Sequence, residues 1–365
     1  MRKLRVLFAT AISLVAVAQE TKPPLHDEDP LATMPVREKN WRQLEAFADQ
    51  VANPDFRSPA DYLRSIEPLR QLLRGRIGYP APGFTGHTGE PRLEKSGEDV
   101  VATYYRMWIP VAPELETYGL YLVPKKAKLP APLVISQHGG GGFPEMAAYR
   151  GGSNYKDQVR GAVAEGYVVF APLQVQYPFR DRDNGTPIPA DVRARLDEKL
   201  RAKGTSLAAI EMMKLSRGLD ALLKRKEVDP SRVAMIGLSY GGFYTLYAAA
   251  LDPRIRVAVA SCSFKDYPEP GSEFEKQMRK TDGRLFDMAG PDLVKLICPR
   301  PLQVQSGIHD KLLPIEEARR GTARVADYYV KLGLDAQFEF QAFDGGHEFR
   351  GDIAWQFLRK HLGGR

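Results

Sequence analysis

Cysteine is nearly absent from this chain, which holds only Cys262 and Cys298 in 365 residues. A scaffold stapled by several disulfides is therefore excluded. Histidine is also scarce, with six residues, and no His/Asp/Glu cluster has the spacing of a metal site, so no metal or other cofactor is expected. The apolar run at residues 6–17 is shorter than the roughly 20 residues that span a bilayer. No internal repeat or long low-complexity stretch is visible. Nor is there a clustered basic face. The formal charge of +7 is spread over the chain, and Lys199-Arg201-Lys203 and Lys224-Arg225-Lys226 read as solvated helix surface. A nucleic-acid partner is not expected on that distribution. What remains is ordinary: 43% hydrophobic and 27% charged residues suit a globular protein with a full core.

The start of the chain reads as a targeting segment. Arg2, Lys3 and Arg5 precede the apolar run, and Ala16-Val17-Ala18 is a small-x-small cleavage site. Residues 1–18 thus have the pattern of a secretory signal peptide cut near Ala18, with a periplasmic or secreted product expected. Its removal takes three cations and lowers the formal charge from +7 to +4. No cysteine near the cut offers a lipid anchor, and no stable membrane insertion is expected. Residues 19–90 read as a tail followed by a small helical appendage. Trp41, Leu44, Phe47 and Val51 recur at helical spacing, as do Tyr62, Ile66, Leu69 and Leu73.

Residues 91–365 form the expected main domain. Residues 79–97 are loop-like; residues 100–109 and 118–123 then read as an antiparallel pair of strands. From Pro132 the rhythm becomes strand, loop, helix. Strands are expected over 133–136, 167–171, 232–236, 257–260, 302–305 and 338–343. The intervening helices fall at 155–165, 207–226, 240–251, 315–332 and 353–361. The fold class is α/β, a mainly parallel eight-stranded sheet with helices on both faces. Residues 174–206 and 263–298 interrupt the rhythm and read as lid-like insertions.

Gly237-Leu238-Ser239-Tyr240-Gly241 lies between an apolar strand and a helix. Gly-x-Ser-x-Gly in that setting is a nucleophile elbow, a sharp turn that pushes the serine hydroxyl above the sheet. His138-Gly139-Gly140-Gly141-Gly142 follows another strand, where backbone N–H groups can meet an oxyanion. One donor is expected from Tyr240, the other from Gly139 or Gly140. No Gly-Lys-Ser/Thr follows, so the glycines are not a phosphate loop.

Position sorts the histidines. His26 and His87 precede the sheet, His138 belongs to the glycine loop, and His361 lies in the last helix. His347 follows the final strand in Asp344-Gly345-Gly346-His347, where ligands bind in open parallel sheets. It is the candidate base. Asp310, after the strand at 302–305, is the preferred acid, with Asp266 as its rival. His138, Tyr177 and His309 are candidate pocket residues. Cys262 ends one strand and Cys298 precedes the next, so parallel pairing holds the thiols roughly 15–20 Å apart, beyond the reach of a disulfide.

These motifs resemble the α/β-hydrolase superfamily from about Val100 onward. Within it the chain is similar to dienelactone-hydrolase-like and acetyl-xylan-esterase-like secreted serine hydrolases. The departures are specific. Dienelactone hydrolase carries a cysteine nucleophile where this chain has Ser239. The acetyl-xylan-esterase group shows Arg-Gly-Gln and Gly-x-Ser-Gln-Gly; the first is missing and Tyr240 replaces the glutamine, although His347-Glu348 matches that group. Glucuronoyl esterases place a cation after the serine, and Tyr240 departs from that. Gly-x-Ser-Tyr-Gly-Gly also resembles prolyl-oligopeptidase-type peptidases, but the region before the sheet is too short for their propeller. The resemblance implies a triad of Ser239, His347 and Asp310, and a serine carboxylesterase acting on small acyl esters, carbohydrate acetates among them. Export and two insertions suited to forming a pocket motivate carbohydrate, with Tyr177, Phe179, Phe264 and Tyr267 available to stack on a ring or to pack a lid. An exopeptidase is the alternative, with Glu273 or Glu275 placed to recognise an amine.

Overall fold

The computed structural model describes residues 38–39, 41–42, 54–84, 89–149, 153–174, 191–267 and 290–363. The chain divides into two compact units, Met1–Asn53 and Pro54–Arg365. In the first, the described residues are helical and Arg42 pairs with Glu38 one turn earlier. The segment read as a signal peptide lies outside the described residues.

The second unit opens with two short helices, where the sequence pattern suggested one periodic stretch. Ser58 caps α1 (Pro59–Ser65), accepting from the Asp61 N–H at 3.1 Å. Pro68 lacks the N–H needed to continue it, so the chain restarts as α2 (Glu67–Ile77). Tyr62, Ile66, Leu73 and Ile77 are buried in one core with the sheet. These helices belong to the same compact unit as the sheet.

The sheet has nine strands rather than eight. They are β1 (Arg92–Glu98), β2 (Ala102–Ala112), β3 (Leu115–Pro124), β4 (Ala131–Gln137), β5 (Val168–Pro172), β6 (Val228–Leu238), β7 (Val257–Ser261), β8 (Leu302–Gly307) and β9 (Phe338–Phe343). Their order is β1-β2-β3-β5-β4-β6-β7-β8-β9. The strand missing from the sequence reading is β1. It is an exposed edge of Arg, Glu, Lys and Ser, so it carries no alternation to read. β1, β2, β3 and β5 pair antiparallel, and all pairs from β5-β4 to β8-β9 are parallel.

Parallel strands are covered on both faces, and their residues divide accordingly. Leu133, Ile135, Val233 and Met235 join one core with α6 (Leu207–Leu222), α7 (Tyr240–Leu251) and α8 (Gly290–Ile297). Val134, Ala234 and Ile236 point to the other face and pack with α4 (Gln158–Ala164) and α10 (Gly351–Leu362). Each such Leu, Ile or Val contributes about 1.5–3 kcal/mol by burial. The remaining helices are α3 (Pro144–Tyr149), α5 (Asp191–Arg201) and α9 (Ile315–Lys331). α5 lies in the first expected insertion, and α8 falls within the second. Residues 175–190 and 268–289, the larger part of what remains of those stretches, lie outside the described residues.

Cys262 and Cys298 are both buried and free, as the parallel pairing of β7 and β8 requires. Among the described residues, no helix is long and apolar enough to cross a membrane.

Candidate active site

Parallel register brings five strand ends side by side. Gln137 of β4 pairs with Gly237 of β6, Leu238 with Ser261 of β7, Ser261 with Gln305 of β8, and Gly307 with Phe343 of β9. The glycine loop, Ser239, Asp310 and His347 all leave from this edge, the binding edge of an open parallel sheet.

Ser239 holds φ 59° and ψ −122°, a backbone conformation that L residues avoid. Its N–H donates to the Ser261 carbonyl at 2.8 Å, which fixes the turn. Such strain persists where the surroundings enforce it, and here it aims a half-buried hydroxyl off the sheet. A Cβ on Gly241 would lie 2.3 Å from the Gln137 carbonyl oxygen, so only glycine lets α7 start this close to β4. The glycine loop closes in from the other side. A Cβ on Gly139 would sit 2.8 Å from the Leu238 carbonyl oxygen and 3.1 Å from the Ser239 Cβ.

The loops after β8 and β9 are stitched together. Ile308 N–H donates to Phe343 O and His309 N–H to Gly345 O, both at 3.0 Å. The stitching sets His347 Nδ1 2.7 Å from Asp310 Oδ2. The Asp310 carboxylate is almost fully buried, and its Oδ1 accepts the N–H groups of Leu312 (2.8 Å) and Leu313 (3.1 Å). With Nδ1–H donated to the carboxylate, His347 presents the Nε2 lone pair, the tautomer a general base needs. Among the described residues no hydrogen bond joins Ser239 to His347. Catalytic contacts of this kind tighten once substrate is bound. Asp266, the rival acid, instead faces Arg324 at 3.4 Å and Arg320 at 3.9 Å.

The expected oxyanion donors sit in different surroundings. The Gly139 N–H is already donated to the Tyr155 hydroxyl, at 3.0 Å. Gly140 lies at the exposed tip of the loop. Tyr240 opens α7, and the first N–H groups of a helix have no intrahelical carbonyl to bond.

The candidate pocket residues take separate paths. His138 is 1% exposed. Its Nδ1 donates to Gly139 O (2.9 Å) and its Nε2 accepts from Gln174 N–H (3.2 Å), so it holds the loop rather than facing a pocket. Burial, aided by the Lys214 charge, lowers its pKa to about 4. His309 lies at the exposed rim, its Nε2 3.0 Å from Asp344 Oδ1. Tyr177 and Phe179 lie outside the described residues, as do Glu273 and Glu275. Phe264 is buried in the core and Tyr267 bonds Asp292 at 2.7 Å.

The sequence reading missed the layer beneath the site. Cys262 has φ 47°, and its thiol points at the carbonyls of Glu348 (3.5 Å) and Gly346 (3.8 Å), flanking His347. Its sulfur lies within 4.8 Å of the ligand atoms of Asp310 and His347, a proximity that spacing along the chain concealed. Burial pushes this thiol up to about 12. Ser261 Oγ donates to Gln305 Oε1 at 2.7 Å, and Gln305 Nε2 donates to Arg350 O at 3.0 Å. Glutamines at 303 and 305 within a buried strand were the signal for this network.

The model of the prolyl oligopeptidase family matches residues 208–284, from α6 through the serine turn and beyond β7. YtaP of Bacillus subtilis, a protein named as a hydrolase, is 27% identical over 291 residues, 74% of this chain and 91% of YtaP. The chain is a serine hydrolase with an α/β-hydrolase fold. Solved structures with low identity show the same fold. A glucuronoyl esterase from Solibacter usitatus aligns with a TM-score of 0.58 at 18% identity, over 82% of this chain and 94% of that one. Acetyl xylan esterase 1 from Thermoanaerobacterium aligns at 0.52 and 21% identity, over 75% and 88%. The prolyl oligopeptidase family match spans the elbow, Tyr240 included.

Proposed function

We propose that this α/β-hydrolase is a carboxylesterase of small acyl esters, with esters of carbohydrates as its natural class. The observation that carries the reading is the His347–Asp310 pair, 2.7 Å apart, on the strand edge that also bears the strained Ser239 turn. In this reading His347 Nε2 takes the proton of Ser239 Oγ as the oxygen attacks the acyl carbon. The carbonyl oxygen becomes an oxyanion met by the N–H groups of Tyr240 and Gly140. Collapse breaks the bond to the alcohol, which leaves with the proton from His347. Water then attacks the acyl-enzyme, again deprotonated by His347, and releases the acid and Ser239. The carbohydrate part draws on fold likeness to proteins named as acetyl xylan and glucuronoyl esterases.

A second reading, an exopeptidase, draws on the prolyl oligopeptidase family match across the serine turn. Hydrolysis of p-nitrophenyl esters of increasing chain length, set against aminoacyl and prolyl p-nitroanilides, separates the two. The esterase reading expects acetate to be the best substrate and the amides to be poor ones; faster turnover of the amides contradicts it. Acetate release from acetylated xylan tests the carbohydrate part, and its absence beside normal aryl-ester turnover removes that part. Export is proposed on residues 1–18 alone. A mature N-terminus at Gln19 in the exported fraction is the expected outcome, and an intact Met1 there contradicts it.

A further inference from the structure

The turn Ser153–Asp157, which leads into α4, touches both halves of the site. On one side the Tyr155 hydroxyl accepts the Gly139 N–H at 3.0 Å, and the ring is 3% exposed. A Cβ on Gly142 would lie 2.0 Å from that hydroxyl, so the loop is wrapped around it. On the other side the Asn154 carbonyl accepts the Phe349 N–H at 2.9 Å, and Lys156 Nζ lies 3.3 Å from Glu348 Oε2, both partners within two residues of His347. The turn is also strained: Lys156 and Asp157 are consecutive residues at φ 47° and 56°, neither of them glycine. Strain of this kind is held in place only by surrounding structure, and it concentrates at functional sites.

We propose that Tyr155 is a positioning residue of the hydrolytic site. By engaging the Gly139 N–H, its hydroxyl fixes the glycine loop so that the Gly140 N–H faces the oxyanion. The turn that carries Tyr155 ties this loop to the one bearing His347. The inference rests on the serine-hydrolase mechanism above, and it assigns Tyr155 no contact with substrate. Tyr155 acts through Gly140, so its loss affects the transition state and leaves ground-state binding and the His347–Asp310 pair unchanged.

The test compares the full-length parent with Tyr155→Phe and Gly142→Ala. The first removes the acceptor; the second pushes the hydroxyl aside while leaving the tyrosine in place. The readouts are p-nitrophenyl acetate kinetics, labelling of Ser239 by a fluorophosphonate, and thermal melting. Labelling of the parent, absent in Ser239→Ala, is established first. A parent that does not label overturns the serine mechanism and this inference with it. Given labelling, each variant is expected to lose at least tenfold in kcat and in labelling rate, approaching the 10²–10³-fold cost of a lost oxyanion donor. KM should stay within about twofold and the pH profile of kcat/KM should not move. The double variant should lose no more than the worse single one, because both break one contact. A folded Tyr155→Phe protein with parental kcat overturns the inference. So does a loss of kcat accompanied by a shifted pH profile, which would place the effect on His347. If Tyr155→Phe does not fold, a folded Gly142→Ala protein decides by the same criteria.

Discussion

His347 Nδ1 and Asp310 Oδ2 stand 2.7 Å apart across the ends of β8 and β9. Two N–H groups hold the other carboxylate oxygen, so the carboxylate cannot turn away from the imidazole. Asp310→Asn keeps the shape but presents the wrong partner to the ring. A loss of kcat of about 10⁴-fold is expected, the scale seen when a triad carboxylate is replaced by an amide. Asp266→Asn breaks only the contacts to Arg320 and Arg324 and should leave kcat within a few-fold. Steady-state kinetics on one aryl ester checks both variants. The reverse ranking would move the acid to Asp266.

His138 should make the protein sensitive to mild acid. Its folded pKa is lowered to about 4, against an ordinary value of 6.5. Between those values the unfolded chain binds a proton that the folded one refuses, so stability falls as pH drops through this window. From pH 7 to 4.5 the loss from this residue amounts to about 2–3 kcal/mol. Urea melts across that range should show a shallower decline in His138→Asn than in the parent. Parallel declines would show that the ring is not neutral in the fold.

The two thiols should be silent at neutral pH. Burial raises Cys262 and Cys298 to about 12, and a thiolate is the reactive form. A thiol reagent at pH 8 is expected to label neither residue in the native protein and both after unfolding. The sign at alkaline pH follows. Above the ordinary thiol value the unfolded chain loses protons that the folded one keeps, so stability falls as pH rises from about 9 toward 12. Rapid native labelling of Cys262 would mean that the layer under His347 is open.

Much of the site could be read along the chain because each part sits at a strand end. Ser239, Asp310 and His347 follow three separate strands, and parallel strands align their C-terminal ends. What the sequence concealed depends on contacts between distant segments. Gly139 looks like a free donor until Tyr155, sixteen residues later, is placed against it. The pattern assigns Cys262 to a strand end but gives no hint that a positive φ turns its thiol toward the His347 loop. β1 escaped for a different reason, since an edge strand that packs only Leu93 against the core has no period to read. Tyr62 to Leu73 shows the right periodicity, but Pro68 divides it into two helices.

The most direct test of the account is hydrolysis of p-nitrophenyl acetate by the parent and by Ser239→Ala, with melting curves to confirm that both are folded. The serine mechanism predicts that the variant loses at least about 10⁴-fold in kcat, retaining only what binding and the oxyanion donors supply. A folded variant that keeps the parental rate would contradict Ser239 as the nucleophile, and with it the assignment of His347 and Asp310.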